Sequence, residues 1–171
     1  MFTKPQDIVV ALQLSLGAPA QSYAAMGEAL GMSASEVHAA VRRLGEARLL
    51  DPETKEVRRG ALCNFLVHGV PYAFPVSPKE ITRGMPTAWA APSMSALKKD
   101  QSQLPPVWPD PDGKVQGQAV TPLYPSVPGA ARRNPDLYAL LAYVDALRVG
   151  RARERKFAED QLTEHVGHGA A

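Results

Sequence analysis

Apolar positions spaced three and four apart dominate both ends of the chain, while the stretch from residue 69 to 133 is broken repeatedly by proline. Ile8, Val9, Leu12 and Leu16 make one face of an opening helix that tolerates Pro5 in its first turn. Ser22 caps a short second helix carrying Met26 and Leu30, and Gly31 permits a sharp change of direction. Ser33 and Glu36 have the spacing of a capping box, and Met32 with Val37 that of a hydrophobic staple, so a third helix is predicted over residues 33–48. Its inner face is Val37, Ala40, Val41 and Leu44.

Leu49 and Leu50, a turn containing Pro52, and Val57 predict a short hairpin. A further helix follows, with Leu62, Phe65, Leu66 and Val67 as packing surface and Gly69 as its stop. Tyr72, Phe74 and Val76 alternate as a short strand does, and residues 115–123 are predicted to pair with them. Arg83-Gly84 is expected to form an exposed turn, with Trp89 anchoring the loop after it. Near the end, Asn134 and Pro135 start a helix whose stripe is Leu137, Leu140, Leu141, Val144 and Leu147; a charged helix follows Gly150.

These patterns predict a mainly α fold with small β elements. A unit of helices and a hairpin over residues 1–68 is followed by a proline-rich α+β wrapping segment over 69–133, C-terminal helices over 134–164 and a flexible tail over 165–171. The leucine stripe is expected either to pack internally or to form a homodimer seam with a second copy of the chain.

Composition narrows the function. The chain has 171 residues, 45% hydrophobic, with 16 prolines and a formal charge of only +2, so it is no general nucleic-acid mop and any recognition must come from local geometry. Cys63 is the only cysteine, which excludes an intrachain disulfide and a four-cysteine zinc site and reads as structural. No signal core or membrane-length apolar run occurs, so a cytoplasmic chain without membrane contact is expected. His38, His68, His165 and His168 lie in separate segments, and no HExxH, GxSxG or Walker pattern accompanies them. The aspartates at 110 and 112 make a turn rather than a calcium loop. No metal, cofactor or enzymatic activity is expected.

The exposed side of the third helix carries the chemistry. Ser35 and Ala39 are small enough to allow approach to a major groove, His38 or Arg42 can reach base edges, and Arg43 can contact phosphate. Lys55, Arg58 and Arg59 follow on the hairpin. Over residues 5–59 this succession of two helices, a tight turn, a third helix and a basic hairpin resembles the winged-helix transcription regulators, notably the MarR-like group and the DNA-binding domains of some bacterial antitoxins. The resemblance implies sequence-specific binding of double-stranded DNA, with the hairpin as a phosphate-contacting wing. Beyond it the chain departs from the MarR-like arrangement of long helices after the wing. The other expected role is a protein-interaction module, antitoxin-like, that engages a protein partner through residues 70–164.

Overall fold

In a computed structural model, which describes residues 3–17, 21–97 and 102–168, the chain adopts an α+β fold of eight helices and one three-stranded sheet among the described residues. Helix α1 spans Pro5–Ser15, with Pro5 at a position whose missing amide costs no hydrogen bond. Helix α2 spans Tyr23–Leu30: Ser22 Oγ accepts from Ala25 N at 3.1 Å, and Gly31 ends the helix in the left-handed region at φ +69°. Helix α3 spans Ala34–Glu46, and its capping box is complete, with Glu36 N donating to Ser33 Oγ at 3.1 Å and Ser33 N to Glu36 Oε2 at 2.7 Å.

The hairpin after α3 is minimal. Its single antiparallel bridge joins Leu50 to Val57, and Asp51 N and Arg58 N extend the pairing by donating to Glu56 O and Leu49 O. At the tip, Asp51 Oδ1 accepts from Glu53 N and Thr54 N, and Lys55 turns the chain with φ +62°.

Helix α4 spans Arg59–His68 and α5 Val70–Ala73. Tyr72 is therefore helical, and the strand predicted at 72–76 does not form. Pro71 fits the first turn of α5, where no amide is required, while Pro75 and Pro78 remove donors that a strand would need. The strand forms instead at Ile81–Pro86, the first stretch in this region with uninterrupted amides. This strand, β1, pairs antiparallel with β2 (Pro106–Pro109) and with β3 (Val115–Ala119), and β2 meets β3 in parallel. Arg83-Gly84 thus lies within β1 rather than in an exposed turn. Gly84 is required there because a Cβ would sit 2.0 Å from Trp108 O.

Two short 3₁₀ turns, Ala88–Ala90 and Pro92–Met94, follow β1. Trp89 is half-buried in the first of them, whereas the tryptophan fully enclosed by the core is Trp108. Helix α6 spans Val127–Arg133, α7 Pro135–Val149 and α8 Ala152–Leu162, the last running into a π turn at Thr163–Gly167. Among the described residues no helix is long and apolar enough to cross a membrane.

One apolar cluster joins Ile8, Leu12, Leu30 and Leu44 of the first three helices to Leu62, Leu66, Trp108, Leu162 and Val166. Helix α7 runs through it. Leu137, Leu140, Leu141, Val144 and Leu147 are all buried inside this one chain, as are Ala142, Tyr143 and Ala146 between them. The stripe is therefore not available as a homodimer seam: α1, α4, α6, α8 and the short turns cover it on every side.

The sheet is tied to α7 by a buried carboxylate. Asp145, 1% exposed, accepts at Oδ2 from Thr87 Oγ1 at 2.7 Å and from Trp108 Nε1 at 2.6 Å, and at Oδ1 from Arg148 at 2.9 Å. Arg148 Nε in turn donates to Phe74 O at 2.9 Å, which fixes the chain leaving α5. Burial pushes the Asp145 carboxyl above its usual range against the pull of Arg148, Thr87 and Trp108. Truncating this hub leaves three buried donors without an acceptor. Asp145→Ala is expected to lower unfolding free energy by about 3 to 5 kcal/mol in urea titrations; an unchanged midpoint would show that the sheet is held by apolar packing alone.

Candidate nucleic-acid interface

Successive residues on a helix point about 100° apart, and this separates the two adjacent arginines of α3. Arg43 projects toward α1, is 6% exposed, and donates from Nε and NH2 to Asp7 Oδ2 and Oδ1, both at 2.8 Å. Its partnership with Asp7 holds the guanidinium firmly protonated. Asp7 also accepts Lys4 N at 2.9 Å, so one buried carboxylate both starts α1 and docks α3 on it. Arg43 is therefore a structural residue and not a phosphate contact. Arg42, one position earlier, is exposed.

The outward stripe of α3 is then Ser35, His38, Ala39, Arg42 and Glu46. On one flank, the Tyr23 ring of α2 stacks on His38 with centroids 5.0 Å apart, and Lys55 Nζ lies 4.5 Å over the same ring. Tyr23 thus links α2, α3 and the hairpin tip in one aromatic and cationic cluster. His38, Arg42, Gly45 and Glu46 of α3 and Pro52 and Lys55 of the hairpin share a hollow of about 370 Å³ with this ring. Sequence reading assigned Tyr23 no role; its signal is an aromatic directly after the Ser22 cap, where a helix start leaves one ring face uncovered.

The other flank is set by the second half of the chain. Tyr124 OH donates to Glu36 Oε1 at 2.7 Å, and this bond, with that from Ser33 N, keeps the Glu36 carboxyl below its usual range. Ser126 Oγ donates to Leu30 O at 2.6 Å, and Arg133 NH2 to Ala29 O at 3.0 Å. These contacts cap the end of α2 and brace the Gly31 turn, where a Cβ would lie 2.8 Å from Ser126 Cβ. Loop and α6 together fix the entry angle of α3.

The remaining predicted contacts are divided by the structure. Lys55 lies at the hairpin tip beside α3. Arg58 is exposed at the hairpin's base, 4.0 Å from Asp51 in a half-exposed pair that contributes little. Arg59 opens α4 and donates to Ser15 O at 3.0 Å and Val166 O at 3.2 Å, which ties α1 to the end of the chain and removes it from the hairpin tip. Ser35 is exposed, with its Oγ 3.2 Å from Ser33 Oγ.

Elsewhere, Cys63, His68, Glu159 and His168 border a shallow hollow of about 310 Å³, and Cys63 Sγ lies 3.8 Å from Thr163 Oγ1. Among the described residues no group of three or more His, Cys, Asp or Glu side chains is arranged to hold a metal ion. The Arg151–Lys156 stretch is exposed and partly internally paired, Lys156 with Asp160 at 2.8 Å and Arg151 N with Glu154 Oε2 at 3.0 Å.

The two arginines should separate in a stability assay. Arg43→Ala strands Asp7 in the core and is expected to cost about 3 to 5 kcal/mol, whereas Arg42→Ala should change unfolding by no more than about 0.5 kcal/mol. Comparable losses for both in parallel denaturant titrations would contradict the division of roles. Comparison with family models, with curated proteins and with solved structures finds no match to this chain, so its function has to be read from this geometry.

Proposed function

We propose that the chain is a sequence-specific double-stranded DNA-binding protein that regulates transcription, with α2 and α3 acting as a helix-turn-helix and residues 49–58 as its wing. The observation that carries this reading is the outward stripe of α3: Ser35, His38 and Arg42 are exposed, with the half-buried Ala39 among them, beside the Lys55 hairpin tip. Small residues near the helix start let the backbone approach a groove floor. Arg42 is placed for a bidentate contact to guanine O6 and N7, and His38 for a hydrogen bond to a base edge or phosphate. Lys55 supplies a phosphate contact that sets the register of the helix on the duplex.

Charge supports a selective binder over a tenacious one. Arg43 is neutralised by Asp7, while Glu36 and Glu46 are exposed on α3 itself, so few cations remain to neutralise phosphates at this face. Binding of this kind has a shallow salt dependence. Nothing in the reading requires a dimer through α7, and one copy of the unit covers one half-site.

A second reading, a protein-interaction module that engages its partner through residues 70–164, is favoured by one observation. Tyr72, Ile81 and Leu104 expose 83%, 57% and 49% of their surface within that stretch. Scattered apolar exposure is common on folded chains, and these three lie on separate segments.

A duplex recovered by selection from a random library provides the test, with binding measured by fluorescence anisotropy at two salt concentrations. Arg42→Ala should cost about 1 to 3 kcal/mol on the selected duplex and relax preference at one base position. Lys55→Ala should weaken all duplexes alike and reduce the salt slope by about 1. Failure of the parent protein to bind any library member at low salt, or wild-type binding by both variants, defeats the reading.

A further inference from the structure

Trp108 is enclosed by the core, but Trp89 is placed elsewhere by a strained turn. Thr87 is buried and held twice, its N donating to Pro106 O at 3.0 Å and its Oγ1 to Asp145 Oδ2 at 2.7 Å. Ala88, also buried, follows with φ +50°, in the left-handed region that a residue with a Cβ rarely adopts. Strain of this kind persists where the surroundings over-determine it, and it gathers at ligand sites. The next residue, Trp89, is half-buried and lines a hollow of about 520 Å³ between the sheet and the corner of α7 and α8.

The hollow joins an apolar inner wall to polar groups and a hydrated rim. Trp89, Pro106 and Val149 line the inside, together with Gln118 of β3 and Glu154 of α8. Gln118 is fixed by its N, which donates to Pro105 O at 2.8 Å, and Glu154 by Oε2, which accepts from Arg151 N at 3.0 Å. Gln103 and Arg151 are exposed at the rim. Arg151 and Glu154 give the lining one charge of each sign, so an anion meets a carboxylate and a cation meets a guanidinium. A wholly apolar occupant would cover Gln118 and Glu154 without hydrogen bonds. A flat aromatic base gains chiefly by being enclosed, which a hollow with an exposed rim does not provide. A neutral sugar meets all three conditions. Its C–H face suits the indole, its hydroxyls both donate and accept as the amide and carboxylate require, and the outer hydroxyls stay hydrated.

We infer that this hollow is a saccharide-binding site, with one sugar ring stacked on Trp89 and its hydroxyls bonded to Gln118 and Glu154 within and to Gln103 and Arg151 at the rim. The site lies apart from the proposed DNA contacts and does not rest on that reading.

The probes are cellobiose, maltose and diacetylchitobiose, each titrated onto the full chain without nucleic acid and followed by calorimetry and saturation-transfer NMR. Adenosine and its monophosphate serve as the flat and the charged counterparts. At least one disaccharide is expected to bind saturably, one per chain, more tightly than either counterpart and with saturation reaching its ring C–H protons. Trp89→Leu, which keeps an apolar side chain without a π face, should weaken that binding about ten-fold. Gln118→Ala should weaken it about five-fold through loss of one hydrogen bond. Circular dichroism identifies a Trp89→Leu chain that has not folded, and Gln118→Ala then decides alone. Absence of saturable binding by all the disaccharides, tighter binding of either counterpart, or parent-like affinity in either folded variant overturns the site.

Discussion

The carboxylate of Asp7 is buried at the point where α1, the start of the chain and α3 meet, and it is ionically matched to Arg43 through two hydrogen bonds of 2.8 Å. A forked pair of this kind sets distance and rotation together, which apolar contacts between Ile8, Leu12, Val41 and Leu44 do not do by themselves. Rotation is the important quantity for α3. With Arg43 locked toward α1, the helix must present Ser35, His38, Ala39 and Arg42 outward, and the place of Arg42 in the proposed interface follows from the burial of its neighbour.

The second half of the molecule reinforces this orientation from the opposite side. Asp145 gathers donors from the turn after β1, from β2 and from α7, so the sheet and the long helix hold one position. The loop leaving β3 then reaches α3 through Tyr124 and the α2–α3 turn through Ser126, while Arg133 closes the end of α2. Residues beyond 69 are thus part of the frame that presents α3. On the hairpin side, the Tyr23 ring joins α2 to His38 of α3 and to Lys55 at the hairpin tip.

What the sequence made legible was local. Ser22, Ser33, Glu36 and Asn134 announce helix starts because a cap needs only residues within a turn of one another, and all four are found at caps. The apolar spacings of α3 and α7 identified their buried faces for the same reason. Contacts across long separations were not legible: a carboxylate at position 7 claims the arginine at 43, and of the two fates expected for the α7 stripe its burial inside this chain is decided by elements distant in sequence. Proline misled in a particular way. The alternation of Tyr72, Phe74 and Val76 imitates a strand, but Pro71, Pro75 and Pro78 withhold the amides that pairing requires, and β1 begins only where donors resume at Ile81. At the interface, Arg42 and Lys55 were readable as exposed cations, while Tyr23 and Tyr124 gained their places from partners 15 and 88 residues away in His38 and Glu36.

The most direct measurement of the central claim is a backbone amide NMR titration of the full chain with a duplex selected for binding. The account predicts that shifts concentrate at Ser35, His38, Ala39 and Arg42 of α3 and at the hairpin tip around Lys55, with smaller changes at Tyr23. The amides around Tyr72, Ile81 and Leu104 should stay in place. Shifts confined to those last segments or to the Arg151–Lys156 stretch, with α3 unmoved at saturation, would contradict it.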